Sequence, residues 1–208
     1  MIMANTVDKQ RLFCLDFEST LVPEFWPVVA EKLGIDELKI TTKEFPNFPE
    51  LMANRIKTLN AHNVKLNELV SIANTVEPLE GAREFISKLQ KHSPRILIVS
   101  DFGEQLATPM VNKFGGLTYF GHKFATDADD SITGFVFRQD DPKQKVVQAM
   151  QQLEFDVYAT GDSYNDLTML QSADHAFFFQ AAEKIQAENP QLKNTNGYDE
   201  LYQWLTAN

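Results

Sequence analysis

The chain has 208 residues, with 19 Lys and Arg against 29 Asp and Glu, giving a formal net charge of −10. That balance argues against a nucleic-acid binder, because affinity for a phosphate backbone comes from clustered cations. With 43% hydrophobic and 23% charged residues, the composition is that of an ordinary globular protein of one domain carrying a modest insertion.

The longest aliphatic run, Ile96 to Val99, falls far short of the roughly 18 residues of a membrane span. The opening MIMANTVDKQ has neither the basic nor the apolar region of a secretory signal. Cys14 is the single cysteine and fits a reducing compartment, so a cytoplasmic protein without membrane or nucleic-acid partners is expected.

Leu12 to Leu15 reads as a buried strand delivering Asp16 at its C-terminal end. Pro23 and Glu24 then lead into an apolar helical stripe of Phe25, Trp26, Val28, Val29, Ala30 and Leu33, closed by Gly34. Further helices are expected over 49–61 and 66–76, and nothing between 35 and 77 carries a strand signal, so 23–77 reads as a helical insertion. Leu79, Ala82, Phe85, Ile86 and Leu89 form one helical face, and Ile96 to Val99 a second buried strand ending at Ser100 and Asp101.

The segment 122–138 alternates loosely around an Asp-rich turn and predicts a hairpin. Phe155, Val157 and Tyr158 precede Gly161 and Asp162, and Ala176 to Phe179 is a last short strand before a helix-rich tail. Strands separated by helices imply an α/β, doubly wound, mainly parallel sheet with a helical cap, the core being 1–22 and 78–208. In such sheets ligands lie beyond the carboxyl ends of strands, where Asp16, Ser100 and Asp162 fall.

In LDFEST, residues 15–20, the carboxylates Asp16 and Glu18 stand i, i+2 just beyond a buried strand. Two anions buried together are costly unless a cation or a proton relieves them. Alone, this segment also fits an acidic surface turn. In GDSYND, residues 161–166, Asp162 and Asp166 stand i, i+4 where a strand turns into a helix, which alone also fits a cap with an acidic first turn. Between them lie VSD, 99–101, and DPK, 141–143, whose Lys143 sits just inside a helix start.

That ordered set, covering Leu12 to Ala176, resembles the haloacid dehalogenase superfamily of phosphohydrolases. LDFESTLVPEFW, PLEGAREF and GDSYNDLTML are similar to its phosphoserine phosphatase branch, and in particular to bacterial members that also transfer the phosphoryl group to homoserine. Glu18 replaces the superfamily's usual second Asp, as it does in that subgroup, while Thr20 follows the wider pattern.

The resemblance implies Asp16 as nucleophile and Glu18 as general acid and base. It implies Mg²⁺ held by Asp16, Asp162 and the Glu18 backbone carbonyl, with Asp166 behind them orienting waters or Lys143. Ser100 and Lys143 would bind the phosphoryl oxygens. Glu24 would meet the ammonium of phosphoserine, Arg55 would clamp its carboxylate, and Asp101 and Asn165 would line the same pocket. Rival readings are a phosphatase for another small phosphomonoester and a silent phospho-ligand sensor. No GxxxxGK[ST] or GxGxxG loop occurs, and His62, His92, His122 and His175 show no metal-ligand spacing and read as surface or core filler.

Overall fold

The structure is a computed structural model that describes residues 9–42, 44–45 and 47–207. Most of the segment read for a signal therefore lies outside the described residues. Seven strands form one sheet: β1 (Gln10–Leu15), β2 (Ile96–Gly103), β3 (Thr118–Thr126), β4 (Ile132–Val136), β5 (Phe155–Gly161), β6 (His175–Phe179) and β7 (Lys193–Thr195). Their order is β4-β3-β2-β1-β5-β6-β7, parallel throughout except for the antiparallel pair β3/β4.

β1 is central and, from Leu12 on, buried on both faces, which is why Leu12 to Leu15 are apolar without alternation. Phe13 and Leu15 enter one hydrophobic core, Leu12 and Cys14 the other. The first core is filled from α1 (Phe25–Leu33), α3 (Leu66–Thr75), α4 (Ala82–His92), α5 (Glu104–Val111) and α9 (Tyr198–Thr206). The second receives Val146 and Val147 of α6 (Pro142–Gln152), Met169 and Leu170 of α7 (Leu167–Ser172) and Ile185 of α8 (Glu183–Glu188). After β1 the chain builds outward through β2 and β3, then returns to place β5 on the other side of β1. The crevice at that switch point lies above Asp16.

Between β1 and α4 the described chain is helical, with α1, a short 3₁₀ turn at Asp36–Lys39, α2 (Phe48–Ala61) and α3. Gly34 stops α1 in the left-handed conformation at φ 69°, a geometry that favours glycine. The expected hairpin forms around an Asp127–Ser131 turn, held by Asp127 Oδ1 accepting from the Asp129 and Ser131 amides. Its first strand begins earlier than the pattern suggested, at Thr118, because Thr118 to Phe120 pair in parallel with β2. The tail also contains a strand not expected, β7, paired with β6.

Candidate active site

Each motif is placed by the end of a strand or the start of a helix. Asp16 follows β1, its amide donating to the Thr160 carbonyl at 2.9 Å, so neighbouring strands β1 and β5 fix where its side chain emerges. Lys143 stands in the first turn of α6, whose Pro142 occupies a position where a missing N–H costs nothing. The preceding Asp141 takes a left-handed φ of 48°, tolerable for Asp, and accepts a hydrogen bond from Thr168 Oγ1 at 2.8 Å.

The Lys143 ammonium is 4% exposed and donates to Asp16 Oδ1 at 2.7 Å and to Asp166 Oδ1 at 2.6 Å. Asp101 Oδ2 lies 4.0 Å away. Burial opposes the charge on Lys143, but Asp16, Asp166 and Asp101 hold it protonated well above the ordinary lysine range. For Asp16 burial and the negative Asp166 dominate and push its carboxyl up, against the pull of Lys143.

Asp166 is completely buried, and its second oxygen accepts from the Asp162 and Ser163 amides, both at 3.0 Å, and from Ser163 Oγ at 3.1 Å. That packing requires Gly161, since a Cβ there would lie 2.3 Å from Asp166 Cγ. Carboxylate oxygens of Asp16, Asp162 and Asp166 come within 4.8 Å of one another. Fully ionised, these three carboxylates would exceed the one ammonium by two charges, an excess that one divalent cation would neutralise.

Glu18 Oε1 accepts from the Phe25 amide at 2.8 Å, so this carboxyl sits at the N-terminus of α1. Burial pushes its pKa up to about 7; the Phe25 hydrogen bond opposes that shift and the nearby Glu24 adds to it. Ser100 Oγ accepts from the Phe102 amide at 3.2 Å, and the Tyr119 hydroxyl donates to the Phe102 carbonyl at 2.7 Å, bracing the irregular end of β2 that carries Ser100.

One cleft of about 70 Å³ is lined by Asp16, Glu18, Glu24, Arg55, Ser100, Asp101, Lys143, Asp162 and Asn165. All the residues singled out in the sequence therefore converge, with Asp166 bonded to Lys143 beneath the wall. Several water-sized groups fit that volume. Arg55 reaches the cleft from α2 and is 5% exposed, with burial lowering its pKa to about 10. One terminal nitrogen donates to the Ile40 carbonyl at 2.8 Å and the other lies 3.5 Å from Met52 Sδ, while Nε is buried without a hydrogen-bond partner.

The sequence reading missed the apolar lining of Trp26, Phe48, Met52, Phe124 and Phe135. His122 needs a correction: although buried, it is more than filler. Its Nδ1 accepts from the Arg138 amide at 3.2 Å, which leaves Nε2 to face Asp101 Oδ1 at 3.5 Å. Burial works against the Asp101 charge, but Lys143 and His122 together hold its pKa below the usual value. Cys14 is a buried packing residue with its thiol pushed up to about 12.

A sequence profile of haloacid dehalogenase-like hydrolases matches residues 10–174. Phosphoserine phosphatase ThrH of Pseudomonas aeruginosa is 40% identical over 191 residues, covering 92% of this chain and 93% of that protein. A phosphoserine phosphatase of Pseudomonas syringae pv. tomato is 38% identical over 191 residues, covering 92% of this chain and 80% of the relative.

Two solved structures share the fold. A substrate-bound phosphoserine phosphatase complex superposes with a TM-score of 0.77 at 20% identity, covering 94% of this chain and 97% of the other. A phospho-aspartyl intermediate analogue of phosphoserine phosphatase gives 0.76 at 21%, covering 94% and 99%. The chain belongs to the haloacid dehalogenase-like hydrolase family, in its phosphoserine phosphatase branch.

Proposed function

We propose that the protein hydrolyses L-phosphoserine through an aspartyl-phosphate on Asp16, with homoserine as an alternative acceptor to water. The observation that carries this reading is the juxtaposition of the buried Asp16–Lys143–Asp166 network with Glu18, Glu24 and Arg55 in one cleft. Phosphoserine offers a phosphate, an ammonium and a carboxylate. The strand ends supply the chemistry for the first, and Glu24 and Arg55 suit the other two. The names of the two Pseudomonas relatives support the same substrate.

In the first step the Asp16 carboxylate attacks phosphorus in line, an Asp16 O–P bond forms, and the bond from phosphorus to the serine oxygen breaks. Glu18 gives its proton to the departing oxygen, which would otherwise leave as a poor alkoxide. In the second step water attacks phosphorus, Glu18 accepts its proton, and the Asp16 carboxylate is released. A homoserine hydroxyl in place of water would yield phosphohomoserine. A carboxyl with a pKa of about 7 exchanges its proton readily near neutral pH, as both steps need. Lys143 aims Asp16 through Oδ1 and places a positive charge beside the phosphoryl group, and Ser100 donates to a phosphoryl oxygen.

Mg²⁺ would be held by Asp16, Asp162 and the Glu18 backbone carbonyl, and its charge would neutralise the phosphoryl oxygens as bonding changes. The acidic cluster and its charge excess fit that ion. The helical segment 23–77 would act as the cap that selects the substrate, and 1–22 with 78–208 as the catalytic core. No helix among the described residues is long and apolar enough to cross a membrane.

Phosphate release from a panel of phosphomonoesters, with Mg²⁺ or EDTA and with or without homoserine, tests the reading. Mg²⁺-dependent release fastest from phosphoserine, and phosphohomoserine formed when homoserine is added, are expected. Equal rates across the panel would remove the substrate assignment.

A further inference from the structure

We propose that Trp26 is a specificity-determining positioning residue, a π platform that holds the Arg55 guanidinium in place to receive the substrate's carboxylate. The proposal rests on the reading of Arg55 as the carboxylate clamp. The Arg55 guanidinium carbon lies 4.5 Å from the centroid of the Trp26 ring. Both side chains are about 95% buried and both line the cleft. A cation stacked on an indole face is attracted by the ring's quadrupole, and the attraction strengthens as water is excluded.

The contacts of Arg55 show why it needs such a platform. A long, flexible side chain gives a directional clamp only when its plane is fixed. Here one terminal nitrogen is anchored at the Ile40 carbonyl, and the contact to Met52 Sδ is weak. Nε remains a buried donor without a hydrogen-bond partner, a cost that a bound carboxylate would relieve. With the indole against one face, the guanidinium keeps an edge available rather than folding onto its neighbours.

Trp26 is itself held firmly. It is the second residue of α1, its ring packs edge-on against Phe25 at 5.9 Å, and the Phe25 amide is the donor to Glu18. The same helix start thus carries a contact to the proton-transfer group and the platform for the recognition group. Aligning the carboxylate on Arg55 would then also fix the distance from the serine oxygen to Glu18.

Phosphoethanolamine has the phosphate and ammonium of phosphoserine but no carboxylate, so comparing the two isolates this interaction. Trp26→Leu keeps an apolar side chain, though a smaller one, and removes the π face. It should raise KM for phosphoserine roughly tenfold while changing KM for phosphoethanolamine less than about twofold. Trp26→Phe, which retains a weaker face and is the milder change should the leucine variant fold poorly, should shift the ratio in the same direction by roughly threefold.

In an Arg55→Ala background, Trp26→Leu should produce no further change in the ratio. An equal effect on both substrates, or no effect on phosphoserine, would overturn the proposal. If Arg55→Ala shifts the ratio and neither Trp26 variant does, Trp26 alone is excluded. If Arg55→Ala leaves the ratio unchanged, the clamp reading falls and takes the platform with it.

Discussion

The two walls of the cleft are built on opposite principles. On the strand side, the buried groups are already hydrogen-bonded to one another: Lys143 bridges Asp16 and Asp166, and the second oxygen of Asp166 accepts from the Asp162 and Ser163 amides and the Ser163 hydroxyl. On the helical side, Arg55 is nearly as buried but keeps an unpartnered Nε and rests on an aromatic face. The first wall is organised before substrate arrives, as electrostatic catalysis requires. The second holds a donor whose partner would come with the substrate. On the proposed function, one wall serves catalysis and the other selection, and substitutions on the two should fail differently.

The largest effects belong on the strand side. Asp16→Asn removes the proposed attacking anion at nearly constant shape, so turnover should fall by at least about a thousandfold. The thermal midpoint should not drop, because Lys143 keeps Asp166 as its partner. Residual turnover of several per cent would exclude Asp16 as nucleophile.

Lys143→Met tests the same wall through stability. It leaves Asp16 and Asp166 buried without their shared cation, which should cost about 3–5 kcal/mol in urea denaturation at pH 8 without added metal. The loss should shrink at pH 5, because Asp16, whose carboxyl burial already pushes up and which would have lost the lowering pull of Lys143, can take up a proton instead. An unchanged midpoint at pH 8 would show that the network does not stabilise the fold.

The difference between the walls also explains what the sequence made legible. The placement of Asp16, Ser100 and Asp162 at strand ends could be read from physics alone, because apolar runs mark buried strands and ligands gather beyond them, while their roles came from resemblance. Asp166 and Lys143 depended on motif order, since an i, i+4 pair and a helix-start lysine are each common. Glu24 and Arg55 came from resemblance, because nothing local tells a buried helix arginine from a solvated one. Trp26 was visible only as part of an apolar stripe, and its contact with Arg55 depends on how α1 and α2 fold together, which periodicity does not encode.

His122 was misread because the histidines were screened for metal spacing, whereas its partner, Asp101, is on the neighbouring strand. Strand β7 escaped notice because three residues, Lys-Asn-Thr, carry no alternation to detect.

On the helical side the effect should be smaller and selective. Arg55→Ala should raise KM for phosphoserine by about one to two orders of magnitude, the worth of a charged hydrogen-bonded pair at roughly 1.5–3 kcal/mol. Turnover at saturation should change far less, and phosphoethanolamine should be nearly unaffected. A matched loss on both substrates would merge the two walls into one structural unit.

A different kind of test sharpens the comparison at Glu18, which stands between the walls. Its pKa is pushed from 4.5 to about 7 mainly by burial, so the folded protein binds this proton more tightly than the unfolded chain does. A raised acid pKa means that the favourable contribution is complete below about pH 4.5 and is lost as pH rises through 7. Glu18→Gln fixes the neutral form and keeps an oxygen to accept from the Phe25 amide. In EDTA, the variant should match the wild type near pH 4.5 and exceed it by on the order of 2 kcal/mol at pH 8, read from urea midpoints across that range. The same substitution should slow turnover by roughly 10²- to 10⁴-fold, because both phosphoryl transfers lose their proton carrier. A gain in stability coupled to a loss of activity is expected of a group held in an unfavourable environment for its chemistry. If the two midpoints instead stay parallel from pH 4.5 to 8, Glu18 titrates alike in the folded and unfolded chains, and its placement at the start of α1 does not tune it for proton transfer.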